Sequence, residues 1–239
     1  MFKLIAQEFV TQYSFLNLFN FITFRVGASI LTSLFFSLIF GQIIINQLSK
    51  IQPKGQPIRK DGPETHIIQK AGTPTMGGVL IILSVLISSI LWTDLQNNFV
   101  WIGLSTLLIF GLIGFFDDYI KIKTNSSNGL KVSTRIILQL FVALLISVLI
   151  LNTLDDQIST SIAFPFFKNL IVNFGYFYLA ISLFIVVGSA NAVNLTDGLD
   201  GLAIVPVMIV SMTFAFIAYV SGNIVFSDYL LINYIPGTG

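Results

Sequence analysis

A chain of 239 residues with 55% hydrophobic and 10% charged residues is too apolar for an ordinary water-soluble domain, and its net charge of +1 carries no information by itself because the two signs lie in different parts of the chain. The absence of cysteine excludes disulfides and thiolate metal sites. The apolar runs are continuous and do not alternate with polar residues, which excludes a transmembrane β-barrel.

Continuous apolar stretches predict the architecture. A helix needs ~20 mostly apolar residues to cross a hydrocarbon core of ~30 Å, and none of the stretches carries Asp, Glu or Lys at its centre. We therefore predict an all-α, polytopic bundle of transmembrane helices, forming one integral membrane domain over residues 1–239. The six predicted spans are residues 24–48, 76–93, 99–116, 136–154, 170–190 and 201–220.

Two segments outside the spans also carry a structural signal. Aromatic residues recur through residues 2–21, which is typical of a segment at the membrane–water interface. The loop 155–169 has Thr, Ile and Phe residues around a proline, which predicts a short external hairpin near residues 158–167.

The distribution of basic residues predicts the orientation in the membrane. Nine of the twelve Lys and Arg residues lie in the connections 49–75 and 117–135, which both follow odd-numbered spans. The positive-inside rule places these connections in the cytoplasm and the N-terminus outside. By parity, the connection 191–200 is cytoplasmic and the tail 221–239 is external.

An acidic pair, Asp117 and Asp118, closes the third apolar run. Carboxylates at a helix C-terminus oppose the helix dipole, each at a cost of ~0.3–1 kcal/mol. One interpretation is a solvated pair that marks the interface, with Lys121 and Lys123 as neighbours. We favour a role in binding Mg²⁺ or in proton transfer, because such a role explains two acids at an unfavourable position.

A second polar group separates the fifth and sixth spans. Asn191, Asn194, Asp197 and Asp200 occur within ten residues, and their side chains offer hard oxygen ligands. Asp197 or Asp200 is also a good N-cap for the sixth helix. Because one cap does not account for four polar side chains, we predict a functional cluster here.

The segment before the second span combines a helix start with a candidate phosphate site. Thr73 as N-cap and Pro74 at the first helical position explain the start. A helix start does not require Thr75, the Gly77–Gly78 pair or the preceding Lys70. They suit a phosphate group at the positive end of a helix.

Together these motifs resemble a known family, the polyprenyl-phosphate sugar-1-phosphate transferases. The blocks 62–66 (Gly-Pro-Glu-Thr-His) and 70–78 (Lys-Ala-Gly-Thr-Pro-Thr-Met-Gly-Gly) are close to the signature of the phospho-N-acetylmuramoyl-pentapeptide transferases within it. The blocks 117–119 and 191–201 follow in the expected order and spacing. The likeness runs from about residue 20 to the last residue.

The resemblance implies a Mg²⁺-dependent reaction at the bacterial inner membrane. Phospho-MurNAc-pentapeptide would pass from UDP-MurNAc-pentapeptide to undecaprenyl phosphate, giving UMP and lipid I for peptidoglycan synthesis. The implied enzyme is a multi-pass protein of the lipid bilayer with a cytoplasmic active face. A homodimer is implied as well, and no nucleic-acid partner is expected.

The resemblance also implies roles for individual residues. Asp117 and Asp118 match the catalytic pair that handles the polyprenyl phosphate, and these two with Asp197 are the candidate metal ligands. The implied substrate-binding residues are Lys70, Thr75, Lys121, Asn191, Asn194, Asp197, Gly198, Leu199 and Asp200, and the last three match the uridine pocket.

The family usually has ten membrane helices, so the resemblance implies an incomplete version of the enzyme. The missing third would carry the main Mg²⁺ ligand, an aspartate beyond Gly239, and a His-rich loop; His66 is the only histidine here. Three other interpretations remain. They are a transferase of another N-acetylhexosamine phosphate, an inactive fragment, and an ion or proton transporter, which should place its acids in mid-membrane.

Overall fold

A computed structural model describes residues 1–53, 55, 72–126, 128–154, 159–164, 170–197 and 201–239. The chain divides into two compact units. The first comprises Met1–Gln96 and Gly103–Leu138, and the second comprises Asn97–Ile102 and Gln139–Gly239.

Helices make up nearly all of the described secondary structure. In chain order they are α1 (Phe2–Phe9), a 3₁₀ helix (Ser14–Asn20), α2 (Ile22–Ile51), α3 (Gly78–Trp92), α4 (Asn98–Thr124), α5 (Val132–Thr153), α6 (Phe177–Thr196), α7 (Ile204–Ser221) and α8 (Ile224–Leu230). The strands β1 (Ser161–Ala163) and β2 (Ile171–Asn173) lie between α5 and α6.

Five helices in the described ranges, α2 and α4 to α7, are long and apolar enough to cross a membrane. Only α5 buries a substantial share of its apolar 18-residue stretch, 28%, and the other four helices bury at most 6% of theirs. Helices with satisfied backbones and outward apolar side chains suit a hydrocarbon environment. The predicted polytopic bundle of transmembrane helices is thereby confirmed.

The boundaries differ from the prediction at several helices. The second predicted span, 76–93, forms the 15-residue α3, about 22 Å long at 1.5 Å per residue. The third span ends eight residues later than expected, because α4 runs to Thr124. The fifth span, predicted over 170–190, begins only at Phe177, since residues 171–173 pair as a strand.

The predicted hairpin is confirmed, although it lies further along the chain than 158–167. Strands β1 and β2 pair antiparallel, with Ser161 opposite Asn173, Ile162 opposite Val172 and Ala163 opposite Ile171. Residues 165–169 between them lie outside the described residues. β-Branched residues at both central positions favour this pairing.

The predicted start of the second helix is wrong. Helix α3 begins at Gly78 with Gly77 at the N-cap, so neither Thr73 nor Pro74 starts it. Met76 has φ = 71°, which interrupts a right-handed helix. The backbone of Thr75 is also engaged elsewhere, since its N–H and its carbonyl both bond the side-chain amide of Gln52.

An aromatic cluster joins the N-terminal segment to the end of α3. The Trp92 ring stacks on Phe19, with ring centroids 5.8 Å apart, and contacts Phe2 at 4.8 Å. Nearby, Lys3 forms an ion pair with Asp94. Burial favours the neutral form of Asp94, but hydrogen bonds from Lys3 and from the Gln96 backbone hold its pKa below the usual value. The pair therefore stabilises the fold at neutral pH and is lost under acidic conditions.

In the second unit, polar side chains connect α5 and α6. The hydroxyls of Ser147 and Ser182 lie 2.6 Å apart, and Ser147 is buried. Closer to the other end of the pair, Asn191 donates to Oε1 of Gln139 at 2.7 Å. Small residues and side-chain hydrogen bonds are typical contacts between membrane helices, where the surrounding lipid offers no polar partner.

We expect Ser147→Ala to lower the free energy of unfolding by about 0.6 kcal/mol, and by at most about 1.7 kcal/mol, because it removes one interhelical hydrogen bond. Thermal unfolding in detergent micelles measures this change. Ser211→Ala, at an exposed position of α7, is the matched control. Equal melting temperatures for the two variants would contradict a stabilising contact between α5 and α6.

Candidate active site

Three charged side chains converge near the end of α4. The Lys121 ammonium nitrogen lies 2.6 Å from Oδ2 of Asp117 and 2.9 Å from Oδ1 of Asp118. Residues three and four positions apart share one face of a helix, so the local helix alone can bring the three together. One ammonium group thus bridges both carboxylates of the predicted acidic pair.

Thr75 joins this group from a different part of the first unit. Its hydroxyl donates to Oδ2 of Asp118 at 2.7 Å, so Asp118 accepts from Lys121 on one oxygen and from Thr75 on the other. This hydrogen bond brings the segment before α3 to the acidic pair. Four sequence-predicted site residues, Thr75, Asp117, Asp118 and Lys121, therefore form one cluster.

Asp117 is held by the chain that follows α4. The backbone N–H of Leu130 donates to its Oδ1 at 2.9 Å. Gly129 lies so close that an added Cβ would stand 2.6 Å from Cγ of the carboxyl group. With 12% of its side chain exposed, Asp117 is the more buried acid, against 29% for Asp118 and for Lys121.

The helix extends past the acidic pair, which corrects one premise of the sequence analysis. Asp117 and Asp118 lie before the last turn of α4, and Lys121 and Lys123 occupy that turn, where the dipole favours cations. The helix ends at Thr124, and the next residue, Asn125, has a left-handed φ of 48°. The expected conflict between the acids and the helix dipole is therefore relieved by the following lysines.

The charge balance of the cluster suits a further cation. Two carboxylates and one ammonium leave a net charge of −1 among oxygen donors of the kind that Mg²⁺ prefers. Each carboxylate oxygen keeps a lone pair beyond its present hydrogen bond. Asp118 and Lys121 are also exposed enough to meet an anionic substrate.

The second predicted cluster belongs to the second unit. Asn191 and Asn194 lie in the last turns of α6 rather than in a connection, and Asp197 is its C-cap residue. Asn191 is engaged with Gln139, whereas Asn194 and Asp197 are exposed and three residues apart. The alternative that an acid caps the next helix is wrong, because the N-cap of α7 is Ala203.

Some predicted residues lie outside the described part of the chain, namely Lys70, Gly198, Leu199 and Asp200. Among the described residues, no three His, Cys, Asp or Glu side chains form a group able to hold a metal ion. A metal at the acidic pair would thus draw its remaining ligands from substrate or water, as Mg²⁺ commonly does.

Sequence reasoning missed three contributors to the site. Gln52 binds the Thr75 backbone through its side-chain amide, Leu130 donates its backbone N–H to Asp117, and Gly129 closely approaches the Asp117 carboxyl group. Backbone contacts leave little signal in side-chain patterns. The only available indication was the position of Gly129, shortly after a charged helix end where a close approach is common.

Fold and site together define a multi-pass helical membrane protein with a basic–acidic cluster near the end of α4 and the start of α3. The sequence profile of Glycosyl transferase family 4 matches residues 100–237, and the Phospho-N-acetylmuramoyl-pentapeptide-transferase signature 1 matches residues 70–82. The chain belongs to glycosyl transferase family 4 and is a polyprenyl-phosphate sugar-1-phosphate transferase.

We expect Gly129→Ala to displace the turn that follows α4 from Asp117. The added methyl overlaps the carboxyl group, so the Leu130 N–H bond breaks and stability falls by about 1–3 kcal/mol. Thermal unfolding and transfer activity measure the effect. Gly114→Ala, on the helix that carries Asp117, is the control because its Cβ meets open space; equal behaviour of the two variants would contradict the close approach.

Proposed function

We propose that the chain transfers phospho-MurNAc-pentapeptide from its UDP carrier to undecaprenyl phosphate, releasing UMP and forming lipid I for peptidoglycan synthesis. The observation that carries this proposal links the signature to the site. Thr75 lies within the matched signature, and its hydroxyl donates to Asp118. The segment typical of phospho-N-acetylmuramoyl-pentapeptide transferases therefore contacts the acidic pair directly.

The proposed reaction forms one P–O bond and breaks another. An oxygen of the lipid phosphate attacks the phosphorus attached to the sugar, and the phosphoanhydride bond to UMP breaks. A carboxylate of the pair accepts the proton of the lipid phosphate before attack. Asp118 is the better placed acceptor, because its side chain is more exposed than that of Asp117.

The residues around the acids position them and balance charge. Lys121 neutralises part of the negative charge that two phosphates and two carboxylates bring together. Leu130 fixes the orientation of Asp117, and Thr75 fixes that of Asp118. Phosphoryl transfer depends chiefly on such positioning and on electrostatic stabilisation.

Asp117 and Asp118 are the residues of this cluster that would hold Mg²⁺, with Asp197 a further candidate in the second unit. When bound, the ion supplies positive charge for the diphosphate oxygens. The net charge of −1 and the oxygen donors of the cluster support this proposal.

Asp117→Asn and Asp118→Asn should each lower the transfer rate by at least about 100-fold, because neutral amides neither accept the proton nor pair with Lys121. The melting temperature separates this loss from unfolding. Asp228→Asn, at an exposed acid of α8, is the control and should keep the wild-type rate. A wild-type rate in either acidic-pair variant removes its catalytic assignment.

Product formation tests the proposed substrate pair. The purified chain is supplied with undecaprenyl phosphate and UDP-MurNAc-pentapeptide, with Mg²⁺ or with excess chelator, and the lipid product and UMP are quantified. We expect both products with Mg²⁺ only. Unlabelled UDP-N-acetylglucosamine should not compete; effective competition would favour transfer of another N-acetylhexosamine phosphate.

We also propose that the acidic pair faces the cytoplasm of a bacterial cell. Contacts inside each unit support the prediction of which connections lie on the same side of the membrane. Thr75 and Asp118 join the two lysine-rich connections, whereas Asn97 donates to the carbonyl of Gly237 and joins two segments predicted to be external. The positive-inside rule then sets the direction.

The orientation is testable because the chain has no cysteine. Intact cells that carry a single cysteine at the exposed position Gln96 or Lys123 are treated with a membrane-impermeant maleimide. We expect labelling at Gln96→Cys immediately and at Lys123→Cys only after the membrane is permeabilised. The reverse pattern would contradict the proposed topology.

A further inference from the structure

Gln52 is a buried amide at the end of α2. Only 3% of the residue is exposed, although it follows a largely exposed apolar helix. Its neighbour Pro53 disfavours the helical conformation for the preceding residue, and Gln52 indeed leaves it, with φ = −120° and ψ = 64°. The proline thus ends the helix and turns the Gln52 side chain away from the helical path.

The side-chain amide of Gln52 binds both backbone groups of Thr75. Its Oε1 accepts from the Thr75 N–H at 2.9 Å, and its Nε2 donates to the Thr75 carbonyl at 3.3 Å. The same Nε2 also lies 3.7 Å from the sulfur of Met76. A two-point contact of this kind fixes the orientation of a peptide segment as well as its distance.

The segment held in this way is strained. Met76 has φ = 71°, a left-handed conformation that costs a residue with a Cβ roughly 1–2 kcal/mol. Strained backbone of this type persists only where surrounding contacts enforce it, and it is concentrated at functional sites. Close backbone approach adds a second restraint, because a Cβ on Gly55 would lie 2.7 Å from the backbone of Gly72.

We infer that Gln52 is a positioning residue of the transfer site, which holds the Thr75 hydroxyl on the carboxylate of Asp118. Gln52 acts through Thr75, whose hydroxyl lies 2.7 Å from Oδ2 of Asp118. This inference rests on the proposed role of Asp118 and adds the residue that sets its geometry. A buried amide with both ends satisfied is well suited to the task, because its loss would leave two backbone groups unpaired.

The kinetic test uses Gln52→Met, which keeps the side-chain volume and removes both hydrogen bonds. We expect kcat for lipid-linked product to fall about tenfold, with KM for the UDP-sugar unchanged, because the Asp118 carboxylate is misplaced by a fraction of an ångström. Gln42→Met, at an exposed glutamine of the same helix, is the matched control and should keep the wild-type kcat.

A double-mutant cycle separates positioning from general stability. Thr75→Val removes the hydroxyl through which Gln52 acts, so adding Gln52→Met to Thr75→Val should cause no further loss of kcat. Losses that multiply would overturn the inference and assign Gln52 a purely structural role. A proportional fall in the melting temperature and in kcat across all variants would do the same.

Hydrogen exchange tests the contact without requiring turnover. In Gln52→Met the Thr75 amide loses its acceptor and should exchange at least about tenfold faster, while exchange in Gln42→Met stays unchanged. Unchanged exchange in Gln52→Met overturns the inference. A wild-type chain with no transfer activity would instead count against the proposed function, and the exchange comparison would still decide whether Gln52 holds Thr75.

Discussion

The bridge from Lys121 to Asp117 and Asp118 is the interaction on which the site depends. Two carboxylates side by side on an apolar helix repel each other and are costly to desolvate. A single ammonium within 2.9 Å of both removes much of this cost, because it sits one turn later on the same helix face. The helix therefore continues past the acids, and its last turn carries lysines that its dipole favours.

The bridge leaves each acid one oxygen for a different neighbour. Asp117 uses it for the Leu130 N–H, which ties down the turn after α4, and Asp118 uses it for the Thr75 hydroxyl, which ties down the segment before α3. Three stretches of the first unit thus meet at two carboxyl groups. The arrangement explains why residues 72–76, within the matched signature, are not helical: the Thr75 backbone is committed to Gln52 and the Thr75 hydroxyl to Asp118.

The sequence predicted what depends on composition and on local groups of polar residues. Long apolar runs allowed the polytopic architecture to be predicted, and Asp117 and Asp118 with Lys121 nearby were identified as candidate site residues. The continuation of the helix past the acids, which places the three on one face, was not predicted. Features that depend on backbone contacts escaped prediction. Thr73 and Pro74 have the right residue types for a helix start. The side chain of Gln52 overrides that local preference because it binds the backbone of Thr75, 23 residues further along the chain. The late start of α6 has a similar cause, since residues 171–173 pair with a strand ten residues earlier.

The most direct test of this account compares two lysines of the same helix turn. Lys121→Met and Lys123→Met each remove one positive charge and keep the side-chain stem, but only Lys121 bridges the acidic pair. Transfer of the sugar phosphate to the lipid carrier is measured for both variants beside their melting temperatures. The account predicts a loss of at least about 100-fold for Lys121→Met and a near-normal rate for Lys123→Met. Equal rates in two folded variants would contradict it.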